Sequence, residues 1–369
     1  MRPAAGADMK RSLFAGLLVL SGISLLAAVG SAPSTHVDLT WMSISNVYYE
    51  IGSLRILTDG YITRLPQEAF SGGGGGLATT RQPFTPDVNA VTRVLGVLGG
   101  PSSVNLLLTG HSHFDHSFDT ATWSRLTGAR IIGSKTTCLQ AEAQGIAAGR
   151  CTTVNGGERL PLGEGVTLRV IRWNHSGDAT NPEQHNPVEL RAEPRPDAVT
   201  GGLRAGVAED FPNGGGNRAF LFIVDTPEGR VSWLFQNSAS AADLAAPIVV
   251  DGVDYGAPLD NLKAALAAER LDGVDLWIGT GGAAVAQLVL PILKPRAYLP
   301  VHWDGLWGAF TAGVTRAYAD PPLEALLAAS GVRLVRPAQY FDKWRLDRTG
   351  VHDLDNTAQQ RALGFPSIH

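Results

Sequence analysis

Cysteine is nearly absent: the 369-residue chain has two, Cys138 and Cys151. One pair cannot build a structural zinc site, which takes four ligands, and neither thiol has the sequence neighbours of a catalytic nucleophile. Charge is sparse as well, 17% of residues, with a formal net charge of −4. Beyond the N-terminus no run of Lys and Arg occurs, which excludes a nucleic-acid surface built on phosphate neutralisation. No repeat of fixed period and no clean domain boundary interrupts the chain, so one large domain with insertions is the economical reading.

Apolar residues are plentiful at 44%, enough for a sizeable core, and 43 Gly with 22 Pro predict long shaped loops. Lys10 and Arg11 precede the uncharged run SLFAGLLVLSGISLLAAVG, which closes on Gly30 and Ala32 at the −3 and −1 places of a cleavage site. Residues 1–32 are therefore expected to be a signal peptide, or a membrane anchor if the run stays uncleaved, since it approaches the ~20 residues that span a bilayer. No Cys follows it to accept a lipid. Either way the body of the protein is expected outside the cytoplasm, secreted or periplasmic. Cys138 and Cys151 flank a helical stretch, and in an oxidising space they can form a disulfide worth about 3 kcal/mol. Two separate buried thiols are the alternative.

Along the chain, VYYEIGSLRILTDG (47–60) predicts two strands turning near Gly52. A loop with five consecutive glycines follows, a slack connector or a flap. Thr85 and Pro86 predict a cap and first-turn proline for the helix DVNAVTRVLGVLG. VNLLLTG (104–110), GARIIGS and VTLRVIRW (166–173) are predicted strands, and residues 177–217 a long polar loop insertion. RAFLFIVDT and RVSWLFQNSAS form a predicted strand pair, followed by helix 258–270, strand VDLWIGT, helix 283–293 and strand AYLPVHWDG. This order suits two sheets packed face to face and covered by helices.

Chemistry concentrates in LLLTGHSHFDHSFDT (106–120), which holds three of the nine histidines. His111 and His113 share one side of an extended stretch, so both imidazoles can reach one ion. Asp115 and His116 follow where the chain turns and can reach a second. Imidazole with carboxylate suits zinc, manganese or iron better than calcium or magnesium.

HSHFDH resembles the His-x-His-x-Asp-His signature of the metallo-β-lactamase superfamily, and further elements arrive in order over residues 36–345. The resemblance implies an αββα sandwich with the metal site at the edge between the sheets, and a C-terminal tail over 346–369. It implies His175 in RWNHSGD as the third ligand of a first metal, and His302 in YLPVHWDG as completing a second site with Asp115 and His116. One or two divalent ions are expected, zinc first, with manganese or iron as alternatives. Gln236 and Asn237 stand where many members carry Gly-Asp with a bridging aspartate, so Asn237 is at best a weak ligand, and the second ion's occupancy hangs on it. The opening strands and VHWD are similar to the branch that includes ascorbate-6-phosphate lactonase, which makes Asp59 a residue orienting a ligand histidine. Tyr61, Trp173 and Trp303 adjoin motif positions and are candidates to line the substrate pocket. His36, His185, His352 and His369 are expected at the surface, with His185 in the long loop a candidate to face substrate.

A dication in an open site brings the pKa of bound water to near ~7, with Asp115 placed to hold the nucleophile and accept its proton. The expected activity is hydrolysis of an ester or lactone as a small-molecule substrate, with phosphodiesterase or β-lactamase activity as alternatives on the same fold. An iron-dependent dioxygenase is the alternative of another class.

Overall fold

The computed structural model describes residues 34–71, 79–176 and 188–366. The expected signal segment 1–32, the five-glycine run, His185 and His369 lie outside the described residues. From Pro33 onward the chain forms one unit. Its first sheet contains β1 (Val37–Ser43), β2 (Asn46–Ile51), β3 (Leu54–Thr58), β4 (Leu106–Leu108), β5 (Arg130–Gly133) and β6 (Cys151–Thr153). Its second contains β7 (Arg159–Gly163), β8 (Val166–Trp173), β9 (Asn217–Thr226), β10 (Gly229–Phe235), β11 (Leu276–Gly279), β12 (Ala297–Pro300) and β13 (Arg333–Leu334). The chain then returns to the first sheet with β14 (Asp342–Asp347) and β15 (Gly350–Leu354). The strand orders are β15-β14-β1-β2-β3-β4-β5-β6 and β13-β12-β11-β10-β9-β8-β7.

Side-chain alternation in the second sheet shows why it is covered on both faces. In β9, Phe220, Phe222 and Val224 enter the core shared with the first sheet, while Ala219, Leu221 and Ile223 enter a separate outer core. Tyr49 of β2 closes the inner core across the sheets, 5.4 Å from both Phe222 and Trp233. The outer core is completed by Leu262 and Leu266 of helix 258–269 and by Val285, Val289 and Leu293 of helix 282–293. Each such fully buried large side chain stabilises by about 1.5–3 kcal/mol. With helices 120–127 and 135–143 packed on the first sheet, the expected αββα sandwich is present.

Two local expectations change. Asp87 caps helix 88–98, accepting from Ala90 N at 2.9 Å, so the cap lies past Thr85 and Pro86 precedes it. Residues 346–366 of the expected tail are built into the fold: β14 pairs antiparallel with β1, β15 with β14, and Leu346, Val351, Leu363 and Phe365 are buried in the inner core. The polar spacing of RTGVHDLDN hides a hairpin whose register is set by β1.

Candidate metal centre

Every predicted ligand stands at a strand end on one rim of the sandwich. β4 is parallel to β3 and β5 and delivers Thr109 and Gly110 to the rim, where Gly110 N donates to Asp59 Oδ1 (3.1 Å). The short helix 114–117 then turns the chain, with His113 in the capping position and Asp115 and His116 in its single turn. His175 follows β8 and His302 follows β12 in the other sheet.

Two groups of donors form. His111, His113 and His175 make the first, Asp115, His116 and His302 the second, each with its ligand atoms within 4.8 Å of one another. His175 Nε2 lies 3.0 Å from His111 Nε2. Asp115 Oδ2 is 3.1 Å from His116 Nε2 and 3.0 Å from His302 Nε2. The His111 and His116 ring centroids are 4.0 Å apart, so the groups adjoin. All six residues are buried except His302, whose side chain is 25% exposed and marks the open side.

Burial keeps the first group neutral. It lowers His111 and His175 well below the ordinary histidine value, helped by neighbouring imidazoles, and lowers His113 to about 4. For Asp115, burial raises the carboxyl, but His116 and His302 outweigh it and hold the group well below the usual range. For His116, burial lowers the imidazole, but Asp115 and Asp59 overcome that and push it up to about 10.

An outer layer aims the imidazoles. His175 Nδ1 is 2.6 Å from the Ser176 carbonyl and His111 Nδ1 is 3.2 Å from Asn237 Oδ1. His116 Nδ1 is 2.9 Å from Asp59 Oδ2, which also accepts from Ser45 Oγ (2.7 Å) and Asn237 Nδ2 (2.7 Å). With Nδ1 of His111, His116 and His175 engaged outward, the Nε2 atom of each faces inward. His113 Nε2 is buried with no hydrogen-bond partner. An orphaned buried nitrogen beside two converging neutral imidazoles has no hydrogen-bonding explanation, and a divalent cation satisfies all three. The donor set fits a metal.

Asp59 stands behind His116, where the resemblance puts it. Asn237 does not occupy a bridging place: its amide packs behind His111, so close to Gly110 that a Cβ there would lie 2.5 Å from Asn237 Nδ2. Tyr61 and Trp173 do not line a pocket. Tyr61 is fully buried, its hydroxyl accepting from Leu65 N (2.8 Å) and its ring edge-on to Phe114 (5.7 Å). Trp173 is fully buried in the outer core, because the strand alternation points it away from the sandwich interior. Trp303 is half-buried and stacked on Trp41 at 5.6 Å. Cys138, inside helix 135–143 rather than flanking it, is disulfide-bonded to Cys151 at the start of β6.

Sequence reasoning missed Ser45 and Gln140. Gln140 Nε2 donates to the Ser112 and Asp210 carbonyls, both at 2.9 Å, and its Oε1 accepts from Ser117 Oγ (2.8 Å), tying the ligand loop to the long insertion. Neither residue carries a sequence signal, since both act through partners distant in the chain.

No protein-family model matches the chain. A metal-dependent hydrolase of Pyrobaculum islandicum is 32% identical over 146 residues, 40% of this chain and 54% of that protein. One from Pyrobaculum calidifontis is 21% identical over 271 residues, covering 73% and 84%. The chain spans little more than half, 54%, of the first of these relatives. Among solved structures, Igni18, a metallo hydrolase from Ignicoccus hospitalis, aligns at 13% identity and TM-score 0.48, covering 84% of this chain and 98% of its own. The metallo-β-lactamase fold protein YhfI of Bacillus subtilis aligns at 11% and 0.44, covering 84% and 99%. The relatives are named metal-dependent hydrolases, and the ordered signature with the sandwich built around it is similar to the pattern of the metallo-β-lactamase superfamily.

Proposed function

We propose that the chain is an exported metal-dependent hydrolase that cleaves an ester or lactone. The observation that carries the reading is the convergence of six donor atoms at one rim, with His113 Nε2 buried and unpartnered. His111, His113 and His175 would hold one divalent ion, and Asp115, His116 and His302 a second; imidazole and carboxylate donors suit zinc, with manganese or iron as alternatives. When bound, such an ion supplies Lewis acidity toward a carbonyl and makes water acidic enough to ionise near neutral pH.

The protein groups do the rest. Asp115, held ionised, orients the attacking water and takes its proton. Asp59, Ser45 and Asn237 keep His116 and His111 turned inward. Burial of five of the six ligand residues keeps bulk water out and strengthens every electrostatic interaction inside, and substrate enters beside the partly exposed His302. The ester or lactone preference is supported by the likeness of the opening strands to a lactonase branch and by Asp59 standing against His116. Export is supported by Lys10 and Arg11 ahead of the apolar run, and by a disulfide, a bond that persists in oxidising compartments. Among the described residues no helix is long and apolar enough to cross a membrane.

Metal analysis and a substrate panel test the proposal. Purified protein should contain zinc and hydrolyse chromogenic esters or lactones, with the activity lost in folded His111→Ala and Asp115→Asn variants. A panel including a cephalosporin and bis(nitrophenyl) phosphate separates the other hydrolases. Iron content with oxygen uptake and no hydrolysis would overturn it.

A further inference from the structure

His302 has φ +63°, a left-handed conformation that is strained for a non-glycine residue and persists only where its surroundings over-determine it. What holds it is a closed ring of hydrogen bonds with the turn between β1 and β2. His302 N–H donates to the Ile44 carbonyl at 2.8 Å. Ile44, itself at φ +48°, donates its N–H to both carboxylate oxygens of Asp304, at 3.1 and 2.9 Å. Asp304 lies two residues past His302, so the ring returns to its start. A third donor, Trp41 Nε1–H, reaches the same Ile44 carbonyl at 3.0 Å, and the Trp41 ring stacks on Trp303 between the two anchor points.

The same turn serves the neighbouring ligand. Ser45, next to Ile44, places its hydroxyl 3.0 Å from His116 Nδ1 while donating to Asp59. His116 and His302 are the two imidazoles that meet Asp115. The first donor group is aimed by Asn237 and the Ser176 carbonyl instead. The β1–β2 turn thus serves the second donor group, while Asn237 joins the two orienting layers through Asp59.

We propose that Asp304 is a positioning residue that presets the second metal position, acting through Ile44 on the backbone of His302. Among the described residues it hydrogen-bonds to Ile44 and to no donor atom of the centre. Its carboxylate accepts one charge-assisted hydrogen bond, the Ile44 N–H shared between its two oxygens, which locks the turn, and the turn fixes the approach of His302 to Asp115. The inference rests on the metal-centre reading above.

The test is titration of metal-stripped protein with zinc, followed by calorimetry, without any substrate. Wild type should take up two equivalents. Asp304→Ala should keep the first with unchanged affinity and weaken the second at least tenfold, the range found when outer-layer partners of metal ligands are removed. Asp304→Asn should stay close to wild type, because its Oδ1 still accepts from Ile44 N–H. Near-UV circular dichroism checks that the variants are folded, and Asp304→Ser, whose hydroxyl is too short to reach Ile44, replaces Asp304→Ala if that variant is not. Unchanged uptake of both equivalents overturns the inference, as does equal weakening of both or a single wild-type equivalent that Asp304→Ala leaves untouched. Absence of any uptake by wild type would overturn the metal-centre reading itself, an outcome distinct from these.

Discussion

The side-chain amide of Asn237 donates to Asp59 Oδ2 at 2.7 Å, while its own Oδ1 lies 3.2 Å from His111 Nδ1. A neutral amide is the one group of this size that can donate to a carboxylate and accept from an imidazole at once. The position where many superfamily members carry a bridging aspartate is here a coupling between the two ligand-orienting layers.

Replacing this amide by a carboxylate should therefore not restore a bridging ligand. Asn237→Asp sets a second buried carboxylate 2.7 Å from Asp59 Oδ2 and removes the amide N–H that donates between them, leaving the two to compete for His116 Nδ1–H. Metal-free protein should lose on the order of 3 kcal/mol at pH 7, recovering as acid protonates the pair. Urea unfolding at pH 7 and pH 5 reads the effect; equal stability of variant and wild type at both would refute it.

Gly110 is needed for the same packing. A methyl group there would sit 2.5–2.7 Å from the three terminal atoms of the Asn237 amide, distances at which something must move. Gly110→Ala should displace Asn237, release His111 Nδ1 and weaken the first zinc equivalent by about tenfold or more. Zinc competition with a chromophoric chelator measures this directly.

Asp119 supplies a pH test away from the donors. Burial raises its carboxyl to about 6, against the opposing hydrogen bonds from Thr63 and Ile62. A folded-state value above the unfolded one means the native state holds the proton longer. Its stabilising contribution is then complete below about pH 4 and lost as pH rises through 6. Relative to Asp119→Asn, wild type should lose up to roughly 3 kcal/mol between pH 4 and 7. Parallel stability curves for the two proteins would contradict the assignment.

The disulfide anchors helix 135–143, which presents Gln140 to the ligand loop. Its closed loop of 13 residues corresponds to about 3 kcal/mol of denatured-state constraint. Changing both cysteines to serine should lower the melting temperature by several degrees, while zinc stoichiometry stays at the wild-type value, because the donors themselves sit on other elements. Calorimetry with and without reductant compares the two forms.

Much of the centre was legible beforehand because it is local. His111, His113, Asp115 and His116 leave one strand within six positions, and strand periodicity alone puts His111 and His113 on one side. His175 and His302 needed the order of superfamily elements, since nothing near them marks a ligand. Tyr61 and Trp173 were misread for a related reason. Adjacency to a motif residue in sequence says nothing about which face of a strand or turn a ring takes, and alternation sent Trp173 to the outer core.

The amino-acid sequence by itself determined the chemistry available: three clustered histidines with aspartates, apolar runs of strand period, and too few cysteines for any other metal site. Only the tertiary structure decided which nitrogen of His111 and of His116 faces inward. That choice depends on outer partners far away in the chain, Asn237 lying 126 residues from His111 and 178 from Asp59. Hydrogen bonds act over about 3 Å, so these partners exist only once both sheets pack and bring their strand ends to one rim. The same packing drew residues 346–354 into the first sheet, where the register of β1, rather than any local pattern, made a polar segment into strands.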